Sequence, residues 1–454
     1  MWDFTDHPAT VLVTNSLLAL ASLYTPQKYR LVPFGALLLQ FWRGIRYIQH
    51  KPGLASFFFL PQYFDWYVAD LVTKAVTITM MHFGVVLILE KQKPPPAGGS
   101  WLDQVRASYK ILSNLRRVGT NMVAPQVPVL VDGEKEEALG PQDTPPHSFG
   151  SRVGVVCREP RVRFLARRSA MAVLLLFAEF WVKPIIWDKT IGPGYEDYAP
   201  GKEVLFRRLP SMTASQFFRE CLIRTQMVFE AFWSAYAVYT SGHAVFSVIC
   251  VGIGLDEPHE WPPMFGHVRE SYSIRRFWVK YFDRLIYRTL KGYALLIARL
   301  VGIARREDDT DGTLTGYALY VARMLGITRR EGDDDGWRMG RGKGEGEPWR
   351  RWLVNGLIFG VSAWFHAQTS WWAGWKCAYW EEVWWWTLSY FGIIAEIAAQ
   401  EAMKKWAPRY YERANNGWIG KAIGFSWLFF FLFWSLPKYM YPNYVCDPGR
   451  ARRE

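Results

Sequence analysis

One uncharged stretch of the chain reads Leu353-Val-Asn-Gly-Leu-Ile-Phe-Gly-Val-Ser-Ala-Trp-Phe-His366 and continues without charge to Trp375. Its length is close to what a helix needs to cross the hydrocarbon core of a bilayer. An ionisable side chain at membrane depth is costly unless it faces a cavity or a partner. His366 is therefore predicted to belong to a functional site. The alternative is a structural histidine that is hydrogen-bonded between two helices.

A helix through this stretch has one polar and aromatic face. Residues three or four positions apart share a face of a helix. The residues at that spacing are Asn355, Phe359, Ser362, His366 and Ser370. Gly356 and Gly360 form a small-xxx-small pair on a neighbouring face, which is predicted to let another helix approach closely.

Long apolar blocks separated by charged segments recur along the whole chain of 454 residues, of which 50% are hydrophobic. Blocks close to the length of a bilayer crossing fall at about 9–25, 29–48, 54–72, 74–90, 169–187, 217–255, 352–376, 382–401 and 419–440. Block 54–72 contains Asp65 and Asp70, so it is alternatively interfacial, and block 217–255 is one tilted span or a broken one. We predict an all-α fold: a polytopic integral membrane helical bundle with about 8–9 transmembrane helices and hydrophilic cytosolic loops.

The net charge of +13 does not indicate a nucleic-acid partner. No basic stripe with interleaved aromatic residues lies outside the loops that flank apolar blocks. Basic flanking loops are typical of the positive-inside rule. This predicts that 91–168 and 256–351 are cytosolic and that the charge-balanced region 188–212 lies on the other side. The predicted protein is a multi-pass membrane protein in contact with lipid, and the predicted compartment is the endoplasmic reticulum.

Two other segments and the cysteines carry predictions about organisation. Region 91–168 is rich in Pro and Gly and is predicted to be partly disordered, with Leu112–Thr120 more ordered. Region 292–336 holds a tandem repeat of 24 residues, in which Gly292-Tyr-Ala-Leu recurs as Gly316-Tyr-Ala-Leu. Two amphipathic helices on the membrane surface would explain it; the alternative is a recent duplication without a functional role. The five cysteines are scattered, with no metal-ligand spacing and no disulfide framework, and no metal site is predicted.

Two aromatic motifs precede the histidine stretch. The first is Trp261-Pro-Pro-Met-Phe265, in which two prolines fix an extended backbone. The second, Ser273–Arg284, is predicted to be a helix that begins at a Ser N-cap and interleaves aromatic and basic residues. Aromatic and basic residues at a membrane edge normally serve as interfacial anchors. Asp283 departs from such a belt.

These motifs resemble those of the wax synthase-like membrane-bound O-acyltransferases, especially the fungal branch that acetylates terpenoid and meroterpenoid alcohols. Trp261–Phe265 is similar to that family's Trp-Pro-Pro-x-Phe, and residues 277–284 to its Phe-Trp-Gly-x-x-Trp-His-Gln. Residues 359–366 are similar to its Phe-x-x-Ser-Gly-x-x-His. The resemblance covers a core at about 255–400 within a single domain, 1–454. Where the family has Trp-His-Gln, this chain has Phe282-Asp283-Arg284; Val279 and Ala363 replace the two glycines.

The resemblance implies transfer of an acyl group, in first place acetyl, from acyl-CoA to the hydroxyl of a hydrophobic alcohol, with no bound cofactor. Such a reaction needs a base for the hydroxyl proton, and His366 holds the family's position, with Ser362 or Asp283 as its partner. Coenzyme A is strongly anionic, so basic residues should bind it. The candidate catalytic residues are His366 and Asp283, and the candidate substrate- and acyl-CoA-binding residues are Trp278, Arg275, Arg276, Lys280, Arg284, Asn355, Phe359 and Ser362. The alternatives are a long-chain wax ester synthase and a non-catalytic membrane scaffold or transporter.

Overall fold

A computed structural model of the chain describes residues 8–50, 65–96, 98–115, 159–282, 286–301, 348–409, 411–412 and 417–445. The predicted all-α fold is confirmed, since these ranges are helical and contain no β-strand. The helices are α1 Pro8–Tyr24, α2 Leu31–His50, α3 Asp65–Phe83, α4 Trp101–Ser113, α5 Arg161–Phe177, α6 Lys183–Thr190, α7 Leu205–Arg208, α8 Ala214–Gly252, α9 Ile274–Arg276, α10 Tyr287–Leu300, α11 Pro348–Trp372, α12 Tyr379–Trp406 and α13 Trp418–Val445. Wider π-helical turns extend α3 over Gly84–Leu89, join α5 to α6 over Ala178–Val182 and follow α9 over Phe277–Phe282.

Four helical segments in the described ranges are long and apolar enough to cross a membrane. They are Tyr67–Leu89, Arg161–Trp187, Ala214–Gly252 and Trp418–Val445. The predicted number of eight or nine spans stays a prediction. Block 217–255 is one unbroken helix of 39 residues, α8. At 1.5 Å per residue it is about 58 Å long, well beyond the bilayer core.

The predicted break between blocks 54–72 and 74–90 is wrong. α3 begins at Asp65 and runs without interruption through residues 73 and 74. Lys74 and Asp70 are one helical turn apart and form an ion pair of 2.6 Å, so each charge has a partner of opposite sign on the same helix. The charges therefore belong to one spanning helix, and 54–64 lies outside the described residues.

Helix α4 lies within the hydrophilic region 91–168 and ends at Ser113. The order expected for Leu112–Thr120 stays a prediction, since residues 116–120 lie outside the described residues. A capping box starts α4, because Ser100 accepts from the backbone of Asp103 and Asp103 accepts from Ser100. These hydrogen bonds hold the pKa of the Asp103 carboxyl below its usual range. Ser100-x-x-Asp was the sequence signal for this helix start.

The first copy of the tandem repeat packs in a core, so its assignment to the membrane surface is wrong. Leu290 and Ala294 of α10 share a hydrophobic cluster with α3 and α11. Tyr293 donates a hydrogen bond of 3.2 Å to the backbone oxygen of Met81, and burial raises its pKa to about 12. A Cβ added at Gly292 would come within 2.8 Å of the Val85 side chain. The second copy lies outside the described residues.

Either copy of the repeat is expected to be dispensable for folding. Every buried residue of α10 recurs 24 positions later, since Thr289, Leu290, Ala294 and Ala298 reappear as Thr313, Leu314, Ala318 and Ala322. Deletion of 313–336 removes the second copy, and deletion of 289–312 joins Arg288 to a segment of equivalent sequence. Long insertions cost little loop entropy, so both variants should keep the wild-type melting temperature in detergent. Aggregation of either variant on size exclusion would show that the copies are not equivalent.

The chain divides into two compact units, each described by itself. The first comprises 1–115, 286–395 and 438–454, and the second 116–285 and 396–437. In the first unit, α3 packs against α10 and α11 around Ile78, Leu290 and Phe365. In the second, α5 packs along α8.

A disulfide-bonded cysteine lies in the connection between α11 and α12. Cys377 is disulfide-bonded, whereas neither Cys221 nor Cys250 forms a disulfide bond. The scattered cysteines indicated no disulfide framework, so this bond was not predicted. Cysteine spacing could not show the bond, because its halves are brought together by the fold and not by local sequence.

The loop between α6 and α8 is held to the start of α8 by an ion pair that should depend on pH. Arg219 donates two hydrogen bonds to Asp197, at 2.7 and 3.0 Å, and these hold the Asp197 pKa below its usual range. A lowered carboxyl pKa stabilises the fold above the unfolded pKa of about 3.9 and loses that effect as the pH falls further.

Asp197→Asn should therefore destabilise the protein at neutral pH by roughly 1 kcal/mol or less, since Arg219 is half exposed. The difference in melting temperature from wild type should shrink below about pH 4. A difference of the same size at pH 7 and pH 3 would contradict the ion-pair explanation.

Candidate functional site

The polar stripe of α11 faces α12, as a ladder of side-chain contacts shows. Phe359 packs on Tyr390 with ring centroids 5.6 Å apart. About two helical turns further on, the His366 imidazole stacks on the Trp386 indole at 4.2 Å, with an angle of 17° between the planes. The predicted stripe thus has a partner helix, and His366 lies against an aromatic face.

The glycine pair of α11 meets its neighbour at one position only. A Cβ at Gly356 would lie 3.2 Å from the Tyr390 ring, whereas Gly360 has open space. The Tyr390 hydroxyl also donates to the backbone oxygen of Trp352 at 2.6 Å. Close approach of α12 is confirmed at Gly356.

Two of the predicted binding residues on α11 differ in their surroundings. Ser362 is buried one turn before His366, and no hydrogen bond joins the two among the described residues. Asn355 is exposed and takes no part in the contacts with α12. Ser362 therefore stays a predicted partner of His366 by proximity alone.

Charged and polar groups beside His366 were missed by the sequence analysis. Glu382 of α12 is 2% exposed and accepts hydrogen bonds from Ser370 of α11 and, at 3.1 Å, from Tyr439 of α13. The charge of Lys74 on α3 is close enough to act electrostatically on both His366 and Glu382. We call the set Asp70, Lys74, His366, Ser370, Glu382 and Tyr439 the histidine cluster.

The histidine cluster has the properties of a functional site within a membrane unit. Its residues all lie in the first unit, on α3, on α11, on the part of α12 before residue 396 and on the part of α13 from residue 438 onward. Ionisable groups at such depth are rare because each is costly, and they normally mark a site that handles substrate or protons. Within the cluster, Lys74 donates a hydrogen bond to Asp70, and Glu382 accepts hydrogen bonds from Ser370 and Tyr439.

The aromatic motifs belong to the second unit and are buried. Phe277 and Trp278 are 4% and 5% exposed, so interfacial anchoring is wrong for this pair. Phe277 packs on Phe232 at a ring-centroid distance of 4.8 Å, and both Phe277 and Trp278 pack on Phe282 at 5.7 and 5.4 Å. Phe282 packs in turn on Phe265 at 5.5 Å. The predicted Ser273 cap is confirmed, because its hydroxyl accepts from the backbone of Arg276, but the regular helix lasts one turn and then widens. Such π-helical turns are frequent at functional sites.

A buried arginine holds the Trp-Pro-Pro loop in the second unit. Arg168 of α5 is 5% exposed and donates to the backbone oxygen of Trp261. Its guanidinium also lies 3.5 Å from Nδ1 of His243 and over the Phe164 ring. Because Arg168 is buried, its side chain has little freedom to move. Its hydrogen bond therefore fixes the position of Trp261, where the loop begins. Nothing in the sequence spacing pointed to this residue.

The predicted basic residues of the second unit are not equivalent. Arg275 and Lys280 are exposed. Arg276 forms an ion pair with Glu270 and lies over the Tyr272 ring at 4.3 Å, so its charge is already paired. Asp283 and Arg284 lie outside the described residues.

Comparison with known proteins adds to this geometry. Residues 261–322 match the model of the membrane bound O-acyl transferase family, starting at the Trp-Pro-Pro loop. The acetyltransferase nanB of Aspergillus nanangensis is 27% identical over 209 residues, which cover 45% of this chain and 45% of nanB. The acetyltransferase aurG of Calcarisporium arbuscula is 23% identical over 230 residues, covering 49% of this chain and 44% of aurG.

A shorter match, 35% identical over 57 residues, joins the chain to the acetyltransferase ataH of Aspergillus terreus and covers 13% of this chain and 19% of ataH. The chain thus spans less than half the length of each of these curated relatives. No solved structure matches the chain. The resemblance indicated by the motifs is confirmed: the chain is similar to the membrane bound O-acyl transferase family through residues 261–322, and to fungal acetyltransferases over up to about half of its length.

Proposed function

We propose that the protein is a membrane-bound O-acyltransferase that transfers an acyl group from acyl-CoA to the hydroxyl of a hydrophobic secondary metabolite such as a terpenoid. The acyl group in this proposal is acetyl. The main observation behind this proposal is the position of His366, whose imidazole stacks on Trp386 within the histidine cluster. The family match at 261–322 supplies the reaction class.

His366 is suited to act as the general base. The alcohol oxygen attacks the thioester carbonyl carbon, and an imidazole nitrogen of His366 accepts the hydroxyl proton as the new C–O bond forms. The carbonyl is restored when the C–S bond breaks, and the imidazolium returns the proton to the departing thiolate. Stacking on Trp386 holds the imidazole plane in a fixed orientation. A positioned base of this kind contributes roughly 10²–10⁴-fold to the rate.

The exposed basic side chains of the second unit support an acyl-CoA donor. Arg275 and Lys280 are exposed beside the buried aromatic motif, and phosphate groups of coenzyme A favour such cations. Arg276 is less exposed than these two residues and forms an ion pair with Glu270. A second catalytic role for Asp283, and a contact of Arg284 with the donor, stay predictions.

The donor and acceptor are tested by an assay on microsomes that contain the full chain. Labelled acetyl-CoA and a long-chain acyl-CoA are each offered with a panel of terpenoid and fatty alcohols, and microsomes without the protein are the control. Ester formed from acetyl-CoA and a terpenoid alcohol would support the proposal. Ester formed only from long-chain substrates would favour a wax ester synthase, and no ester with any pair would favour a scaffold or transporter.

The membrane of the endoplasmic reticulum is the proposed location, supported by the disulfide at Cys377. Disulfides persist in oxidising compartments such as the lumen of that organelle. The connection between α11 and α12 would then be luminal, which agrees with a cytosolic 256–351 and one span, α11, between them.

Protease protection should test this topology. Tags in 91–168 and in 305–345 should be digested in intact microsomes, because both regions border basic flanks. A tag beside Gly201, in the predicted luminal region, should survive until detergent opens the vesicles. Digestion of only one of the first two tags would show that α5–α6 and α8 do not form two spans.

A further inference from the structure

Lys74 lies on the face of α3 that packs against the helix of His366. Ile78 and Met81 follow Lys74 by four and seven positions, and both pack in one core cluster with Phe365 of α11. Positions at this spacing share one helix face. Lys74 therefore continues the ridge that meets α11, where His366 is the next residue after Phe365.

Lys74 forms an ion pair within a spanning segment. It donates a hydrogen bond of 2.6 Å to Asp70, one turn earlier, and its side chain is 17% exposed. Both residues lie in the apolar segment Tyr67–Leu89. A lysine within a membrane span is costly to insert. Packing alone does not account for such a residue, since an apolar side chain would fill the same place at lower cost.

Glu382 and Tyr439 of the histidine cluster carry no positive charge that could stabilise an anion. Glu382 is a carboxyl group, and it accepts a hydrogen bond of 3.1 Å from the Tyr439 hydroxyl. That hydrogen bond engages the Tyr439 donor. Within the described part of the cluster, Lys74 is the group with positive charge to offer a bound substrate.

We propose that Lys74 is a further catalytic residue: its ammonium stabilises the negative charge that forms on the thioester carbonyl oxygen while His366 accepts the alcohol proton. This inference rests on the proposed function. In the addition step the carbonyl π electrons move to that oxygen, which then lies beside the ammonium. In the collapse step they return, the C–S bond breaks, and the thiolate takes the proton from His366. Stabilisation of such an oxyanion in a dry site is often the largest single contribution to catalysis.

The test uses the purified full chain with acetyl-CoA and the alcohol accepted in the microsome assay. Lys74→Met should lower kcat roughly 10²–10³-fold with little change in KM for acetyl-CoA, as expected when one oxyanion donor is lost. Lys74→Arg keeps a cation and should recover part of the loss.

A double variant separates catalysis from folding. Lys74→Met leaves Asp70 unpaired, which by itself could destabilise the protein. Lys74→Met with Asp70→Asn removes both charges, so a purely structural pair predicts recovered activity, whereas a catalytic ammonium predicts none. The matched control is Lys183→Met with Glu179→Gln, which removes another lysine–carboxylate pair of 2.6 Å at the same spacing and should keep its activity.

Near-wild-type kcat in the double variant would overturn the role of Lys74. His366→Ala, assayed in parallel, distinguishes this result from failure of the proposed function. If His366→Ala is inactive while the Lys74 variants turn over normally, the acyltransferase proposal stands and this inference fails. If His366→Ala is also fully active, the proposed chemistry itself is wrong.

Discussion

His366→Ala is expected to lower turnover by roughly 10²–10⁴-fold, the range for loss of a positioned acid–base group. The alcohol would then have to lose its proton to water, which the apolar surroundings of α11 exclude. Folding should survive, because replacing an imidazole by a methyl group in a membrane helix removes a costly polar group. The measurement is the initial rate of ester formation by equal amounts of purified protein.

The matched control for this substitution is His82→Ala. His82 is also a buried histidine in a helix of the first unit, at 3% exposure, but it has no place in the histidine cluster. Its variant should keep most of the activity. A His366→Ala protein that inserts normally and turns over at the wild-type rate would leave a structural histidine as the explanation of this residue.

The helices and the polar stripe could be predicted because they depend on spacing within one segment. Apolar blocks of bilayer length gave α8, α11 and α13, and the periodicity around His366 identified the face that meets α12. Charge within a block was misleading, however. Asp70 was taken as a sign of an interface, although Lys74 one turn later neutralises it inside a single helix. A pair at that spacing is compatible with a continuous helix.

The partners of His366 could not be predicted, because they come from other helices. Trp386, Glu382 and Tyr439 are 20, 16 and 73 positions away in the chain, and only packing brings them to one place. The burial of Trp278 was missed for a related reason. Aromatic and basic residues interleave both in membrane-edge belts and in buried motifs, and composition alone does not separate the two.

Trp386→Leu is expected to lower kcat roughly 10–10²-fold, whereas Trp386→Phe should keep most of the activity. The indole is 8% exposed and lies nearly parallel to the imidazole at 4.2 Å, so it leaves the ring of His366 little freedom to tilt. Leucine fills the space without a flat face, and phenylalanine restores one. A displacement of about 1 Å in a catalytic group can cost on the order of 10²-fold in rate.

The control for this effect is Trp372→Leu. Trp372 lies at the end of α11 and packs edge-on against Phe41 and Trp42 at 6.0 and 6.2 Å, without touching His366. Both leucine variants lose an indole from the first unit, so a general loss of packing predicts similar changes in melting temperature and in rate. Orientation of the imidazole predicts a fall in kcat for Trp386→Leu alone, with KM for acetyl-CoA unchanged. If the two variants turn over equally fast while His366→Ala is inactive, the stack stabilises the unit but does not position the base.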